Sequence, residues 1–385
     1  MTLRNSLTSA ALFGVAIFIN FDLYSFFFFL ATAMVSQNQR GGSSLKDLDI
    51  QHLSAFERAL RRILETDIAE QTYAEVLDGF PLSDSYLSFQ YPQDGHPALE
   101  HEELSEGARE RVCEFRSNLD ISSLLFETIL VEAFRKSAPQ SKEFYLRLIE
   151  LLAVSCHRFA VEIFQLDEVV EKHKIYDVWR DSPRDMNKWD SFRDPTAFTH
   201  GPYIAVDQYP NGSADSVGYW AEARIFGGVI VFDRGEDGTE SRQLYFHGCH
   251  SKGPRTIYPP TDQQFEQMIQ FLLDESESHD NPFPILATPQ NRWRWDPWDA
   301  MAHYNIYRDR FERKISPSKG KPCVLNSIDW PEIKDDLYLI NAMHERLEGK
   351  SVDEEEIAAA KEGITKITPS SPLWSDQGQR TYQGI

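Results

Sequence analysis

The pattern of apolar and polar positions opens with one long hydrophobic run and then settles into amphipathic periodicities. Residues Ala10 to Val35 are nearly all apolar and include four successive phenylalanines, Phe26 to Phe29. The run is long enough to cross a bilayer. Asn20 and Asp22 interrupt it near the middle, where a charge costs about 3 kcal/mol. Three readings stay open: a membrane anchor through residues 10–35, a signal peptide cut after Ala33 of Ala31-Thr32-Ala33, and a protein that starts at Met34. They place the protein at a membrane, outside the cell or in the cytoplasm.

After the linker Gly41-Gly42-Ser43-Ser44, residues Leu53, Phe56, Leu60, Ile63 and Leu64 recur at helical spacing. Segments 72–78 and 105–117 also read as helices, separated by a Pro- and Gly-bearing stretch from Phe80 to Pro97. A further helix is expected over about Ile121–Lys136 and stops before Pro139. The next, about Ser141–Gln165, is apolar almost all round, which is the pattern of the central helix of a bundle.

Beyond Asp181 the pattern turns to short strands. Tyr203–Asp207, Val217–Ala223, Arg224–Asp233, Gln243–His247 and Thr256–Tyr258 are the candidates. Thr261-Asp-Gln-Gln264 is a capping box heading an amphipathic helix with Phe265, Met268, Ile269, Leu272 and Leu273 on one stripe. Helices are expected from about Pro297 to Lys314 and from about Pro331 to Leu347. The segment from Ser351 reads as a loosely held acidic and polar tail. The expected organisation is a hydrophobic segment over 1–36, a helical lobe over 45–180, an α+β lobe over 181–350 and the tail over 351–385. The fold class is α+β: a helical N-terminal lobe plus a small, mainly antiparallel sheet flanked by helices.

Composition narrows the function classes. Sixty acidic residues against 39 basic give a formal charge of −21, with no basic stripe. That argues against nucleic acid, whose phosphates need such a stripe. The densest basic run, Arg308 to Lys314, alternates with acids and reads as a solvated helix face. Twenty-five Phe, 15 Tyr and 8 Trp point to a core built around rings. The four cysteines are scattered, with no C-x-x-C pair.

Candidate chemistry gathers between residues 209 and 250. Tyr209-Pro-Asn-Gly212 is followed by Gly218-Tyr-Trp-Ala-Glu222, Phe226-Gly-Gly-Val229 and Phe232-Asp-Arg-Gly235. This segment resembles one carried by a family of uncharacterised proteins of filamentous fungi. The resemblance implies a shared fold and no particular chemistry. Trp220 and Glu222, placed on one strand face, would floor a pocket for a sugar or a cation, or be a core ring and a rim carboxylate. Gly227-Gly228 within the expected strand marks a bulge or a close approach of another backbone or a ligand, with a packed helix or a neighbouring ring the commoner cause.

His247-Gly-Cys-His250 contains zinc-ligand residue types without the spacing of a zinc module, so no metal is assigned. Cys156-His157 is adjacent on a helix, and such neighbours point about 100° apart. Trp293 to Trp298 alternates Trp with Arg, a pattern suited to cation–π stacking as a clamp. The motifs of nucleotide binding, serine hydrolysis and zinc proteolysis are absent from the sequence.

Two functions follow. The first is a non-enzymatic binding or scaffold protein. The second is an enzyme with a pocket over the 217–247 sheet, using Trp220, Glu222, Asp233 and His247. No cofactor and no particular ligand is indicated.

Overall fold

The computed structural model describes residues 42–121, 124–184, 192–274, 280–320 and 325–374. The apolar run over residues 10–35 lies outside them. Among the described residues no helix is long and apolar enough to cross a membrane. The class is α+β, with helices alongside two small antiparallel sheets.

In chain order the elements are β1 (Gly42–Ser44), α1 (Ile50–Leu64), α2 (Asp67–Asp78), α3 (Ser83–Phe89) and α4 (Ala108–Ser117). Next come β2 (Leu125–Glu127), α5 (Thr128–Lys136), α6 (Lys142–Phe164), α7 (Asp167–Asp181) and α8 (Ser213–Phe226). The chain continues through β3 (Val229–Asp233), β4 (Leu244–His247), β5 (Ile257–Tyr258) and α9 (Asp262–Leu273). The last elements are α10 (Pro297–His303), β6 (Ile306–Tyr307), α11 (Glu332–Leu347) and α12 (Glu354–Thr365).

The chain forms two compact units. Among the described residues, the smaller takes 42–53 together with those of Asp120–Lys136; the larger takes Ser54–Leu119 and those from Ser137 on. In the smaller unit β1 pairs antiparallel with β2, Ser43 opposite Phe126. Leu45, Phe126 and Phe134 are buried there, and the His52 ring meets Phe134 edge-on at 4.8 Å.

The larger unit is centred on α6, and nearly every residue of that helix from Phe144 to Phe164 is buried, as its all-round apolar pattern predicts. Helix α8 packs along α6 and on α2. The four-stranded sheet has the order β5-β4-β3-β6, every pair antiparallel, with β3 to β5 as a meander. Phe246 lies between Ile230 and Tyr258 across that meander. The box at Thr261 forms as read: its hydroxyl accepts from Gln264 N at 3.2 Å, and Gln264 Oε1 accepts from Thr261 N at 2.9 Å.

Six local expectations give way. The segment 217–226 is the helix α8 and not a strand. Ala214, Val217, Trp220, Ala221, Ala223, Ile225 and Phe226 are all buried, and a run apolar on every side carries no period to separate helix from strand. Tyr203–Asp207 turns instead of extending, with Tyr203 N bonded to His200 O at 2.7 Å. Residues 125–127 pair with β1, so the helix after Ile121 begins at Thr128. The stretch Phe80–Pro97 contains α3.

The helix entered at Pro297 stops at His303, because Asn305 takes a left-handed φ of 51° and the chain turns into β6. The region after Ser351 holds α12, capped by the Asp353 carboxylate. Ile357, Ala360 and Ile364 pack there on Leu339 and Ala342 of α11. Residues 375–385 lie outside the described residues. At the Trp-Arg run, Arg294 lies over Tyr258, 6.0 Å from the ring centre, and donates to carbonyls of Thr288, Asn291, Ile328 and Asp329. Trp293 is largely exposed.

Gly227 and Gly228 do mark a close approach. Gly227 ends α8 at φ 98°, where a Cβ would overlap the Ile285 carbonyl, and Ile285 N bonds Phe226 O at 2.9 Å. Gly227→Ala should therefore cost about 3 kcal/mol or more, from left-handed strain plus overpacking. Gly349→Ala has a similar φ of 75° and nothing within 4 Å of its Cβ, so it should cost about 1 kcal/mol. Urea denaturation of the two variants measures the difference; equal losses would rule out the steric contribution.

Candidate functional site

Around α8 the larger unit buries an unusual number of charged groups, joined by three ionic clasps. Glu75 on α2 accepts from Arg224 Nη1 at 3.1 Å, Ser85 Oγ at 2.8 Å and Leu82 N at 3.0 Å. Glu150 on α6 accepts from Arg234 Nη2 at 2.6 Å, Arg147 Nη1 at 3.1 Å and Ser241 Oγ at 3.2 Å. Burial works against the Glu150 charge, and the two guanidiniums outweigh it, holding the carboxyl below its ordinary value. Arg234 also donates to the carbonyls of Tyr307, Arg308 and Glu240, so it ties β3 to the strand and turn beside it.

The third clasp is Glu222. Its Oε1 accepts from Ile230 N at 2.7 Å and from Arg308 Nη1 at 2.6 Å, so one carboxylate fixes the start of β3 and the end of β6. Its Oε2 faces His157 Nδ1 at 3.8 Å. The other nitrogen of that ring, Nε2, lies 3.1 Å from Asp215 Oδ1. The ring rests directly on Gly218, where a Cβ would come within 2.6 Å of it. Asp215 also accepts from Asn211 N at 2.8 Å and Nδ2 at 3.0 Å. Burial would raise the Asp215 carboxyl; the bonds from His157 and Asn211 win and hold it low.

From Arg308 a stack of rings leads to the sheet. The Arg308 guanidinium lies 5.4 Å from the Tyr219 ring centre, Tyr219 sits 4.5 Å from Tyr203, and Arg313 lies 5.7 Å over Tyr203. Tyr203 Oη is 3.1 Å from His247 Nδ1, and His200 Nε2 lies 2.8 Å from His247 O. Burial, with the nearby Arg313 charge, pushes the His247 imidazole far below its usual range; burial takes His200 to about 3. Both rings are therefore neutral and serve as hydrogen-bonding core residues.

The four residues singled out from the sequence are thus separated. Trp220 is buried edge-on against Phe198 at 4.7 Å, with Arg224 over its ring at 5.1 Å. Two positions apart on a helix, Trp220 and Glu222 point about 200° apart and do not share a face. Asp233 ends β3 and accepts from Gly235 N at 2.9 Å in the hairpin turn. Glu222 and His247 are joined only through Arg308 and the two tyrosine rings. Cys156 and His157 diverge as helix neighbours must: Tyr73 Oη donates to Cys156 O at 3.2 Å, and burial pushes the thiol up to about 12.

Arg308, Glu312 and Arg313 were expected on a solvated helix face, and their side chains are buried. The break at Asn305 ends the helix and folds them inward onto Glu222 and Tyr203. Among the described residues no group of three or more His, Cys, Asp or Glu side chains is arranged to hold a metal ion.

A separate cleft of about 450 Å³ opens in the same unit, between the end of α3, the loop after β4 and residues 286–287. The loop is tied to α3: Ser251 N bonds Ser88 O at 2.7 Å and Ser251 Oγ bonds Leu87 O at 3.0 Å. Tyr258 closes the base, its hydroxyl donating to the carbonyls of Gly227 and Ile285. Leu87 and Leu286 form exposed lips. His250 lies in the wall, 4.6 Å from the Phe89 ring, and its buried Nε2 has no hydrogen-bonding partner among the described residues. Burial lowers its pKa. Asp84 and Lys252 also line the cleft. None of the four residues singled out from the sequence does. No family model, curated protein or solved structure matches the chain.

Proposed function

We propose that this is a non-enzymatic binding protein that takes a small molecule in the cleft beside His250. The cleft carries the reading: its volume falls in the range of small-molecule sites, with an apolar base and lips and a few polar groups. His250 adds a polar ring to the cleft wall, packed on Phe89. The groups best suited to catalysis, Glu222, Asp215 and His157, are bonded to backbone or to each other away from that cleft. Sixty acidic residues against 39 basic favour a small molecule over nucleic acid as the partner. Membership of the filamentous-fungal family resembled by Tyr209–Gly235 belongs to the same proposal and adds no activity to it.

Ligand-observed NMR of the full chain with small aromatic fragments tests it. Fragments should bind the parent and lose at least about tenfold in affinity in Leu286→Glu, where a charge enters the apolar lip. Fragments indifferent to both Leu286→Glu and Leu87→Glu, or no binding at all, would remove the cleft as the site.

A further inference from the structure

We propose that the cleft ligand is a zwitterion with an apolar side group, of which a free amino acid with a large apolar side chain is the simplest case. This rests on the cleft being the binding site. Asp84 and Lys252 line it from different elements, Asp84 from α3 and Lys252 from the loop after β4. Neither side chain has a hydrogen bond or ion pair among the described residues, and they are not paired with each other. One free carboxylate and one free ammonium therefore face the same space.

A purely anionic ligand would gain from Lys252 and be repelled by Asp84; a purely cationic one would meet the reverse. Only a molecule carrying both signs uses both groups. The remaining lining, Leu87, Pro254, Tyr258, Leu286 and Ala287, suits an apolar body. His250, whose pKa burial lowers, adds no charge to the wall.

Binding of L-phenylalanine, 2-phenylethylamine, 3-phenylpropanoate and 3-phenylpropan-1-ol to the full chain, by calorimetry or ligand-observed NMR, decides the matter. Phenylalanine should bind tightest, and each singly charged analogue about fivefold weaker, the worth of one exposed ion pair. Asp84→Asn should erase the preference for phenylalanine over 3-phenylpropanoate. Lys252→Met should erase its preference over 2-phenylethylamine. A neutral alcohol that binds as well as phenylalanine, or variants that keep the parent ranking, would overturn the proposal. If the alcohol still binds and is lost in Leu286→Glu, the cleft stands and only the zwitterion falls; if nothing binds, both fall.

Discussion

Lowering the pH from 7 to 4.5 should sharply destabilise the protein. Four buried imidazoles stay neutral in the fold: burial brings His96 and His173 to about 4 and His200 to about 3, and holds His247 well below its ordinary value. His96 Nδ1 accepts from Ala98 N at 3.1 Å and His173 Nε2 from Ala197 N at 3.2 Å, so a proton arriving there displaces a bond. In the unfolded chain these groups titrate near 6.5. Their folded values lie lower, so their contribution is intact above pH 6.5 and is lost as the pH falls toward 4. At pH 4.5 His96, His173 and His200 each cost about 2.5 kcal/mol, about 7.5 kcal/mol together, and His247 acts in the same direction.

Glu162 opposes this. Burial raises its carboxyl to about 7, so its charge weakens the fold above the unfolded value, and protonation returns about 3 kcal/mol between pH 7 and 4.5. The net loss from these groups, about 4.5 kcal/mol, is a large part of a typical domain's stability. Urea denaturation at intervals from pH 7.5 to 4.5 should show the unfolding free energy dropping steeply below 6.5. A flat profile would contradict the buried neutral state of these rings.

Glu222→Ala should destabilise the fold by about 4 kcal/mol, since it strands the buried Arg308 charge and the Ile230 N–H. Arg308→Met should cost a similar amount by leaving Glu222 unpaired. The double variant Glu222→Gln/Arg308→Met keeps an acceptor for Ile230 N and removes both charges, so it should be at least about 2 kcal/mol more stable than Glu222→Gln and Arg308→Met predict by addition. A double-mutant cycle in urea measures that coupling. Additive losses would show that the two groups act independently. Glu222→Gln that keeps stability but loses ligand binding would return Glu222 to a functional role.

What was legible in the sequence was what local pattern encodes. The capping box at Thr261, the all-round apolar α6 and the β3–β5 meander need only neighbouring residues to be read, and they appear where expected. The class, α+β, follows from them. Helix α8 was missed because each of its residues from Ala214 to Phe226 is buried, which leaves no polar side to set the period. Most residues of the Tyr209–Gly235 segment have structural work: Gly218 seats His157, Gly227 admits Ile285, and Arg234 holds Glu150. The cleft had no sequence signal. Asp84, His250 and Lys252 come together where two bonds from Ser251 tie the loop after β4 to α3, between segments more than 160 residues apart.

The three clasps also bear on how the chain reaches its fold. They join residues 149, 84 and 86 positions apart: Glu75 to Arg224, Glu150 to Arg234, and Glu222 to Arg308. None can close until distant stretches have met, and each encounter costs loop entropy before it returns any stabilisation. Until then, segments as apolar as α6 and α8 have no partner. Contacts that close such long loops slow folding, and a chain that holds α6 before Arg234 is in place should be the form most exposed to aggregation.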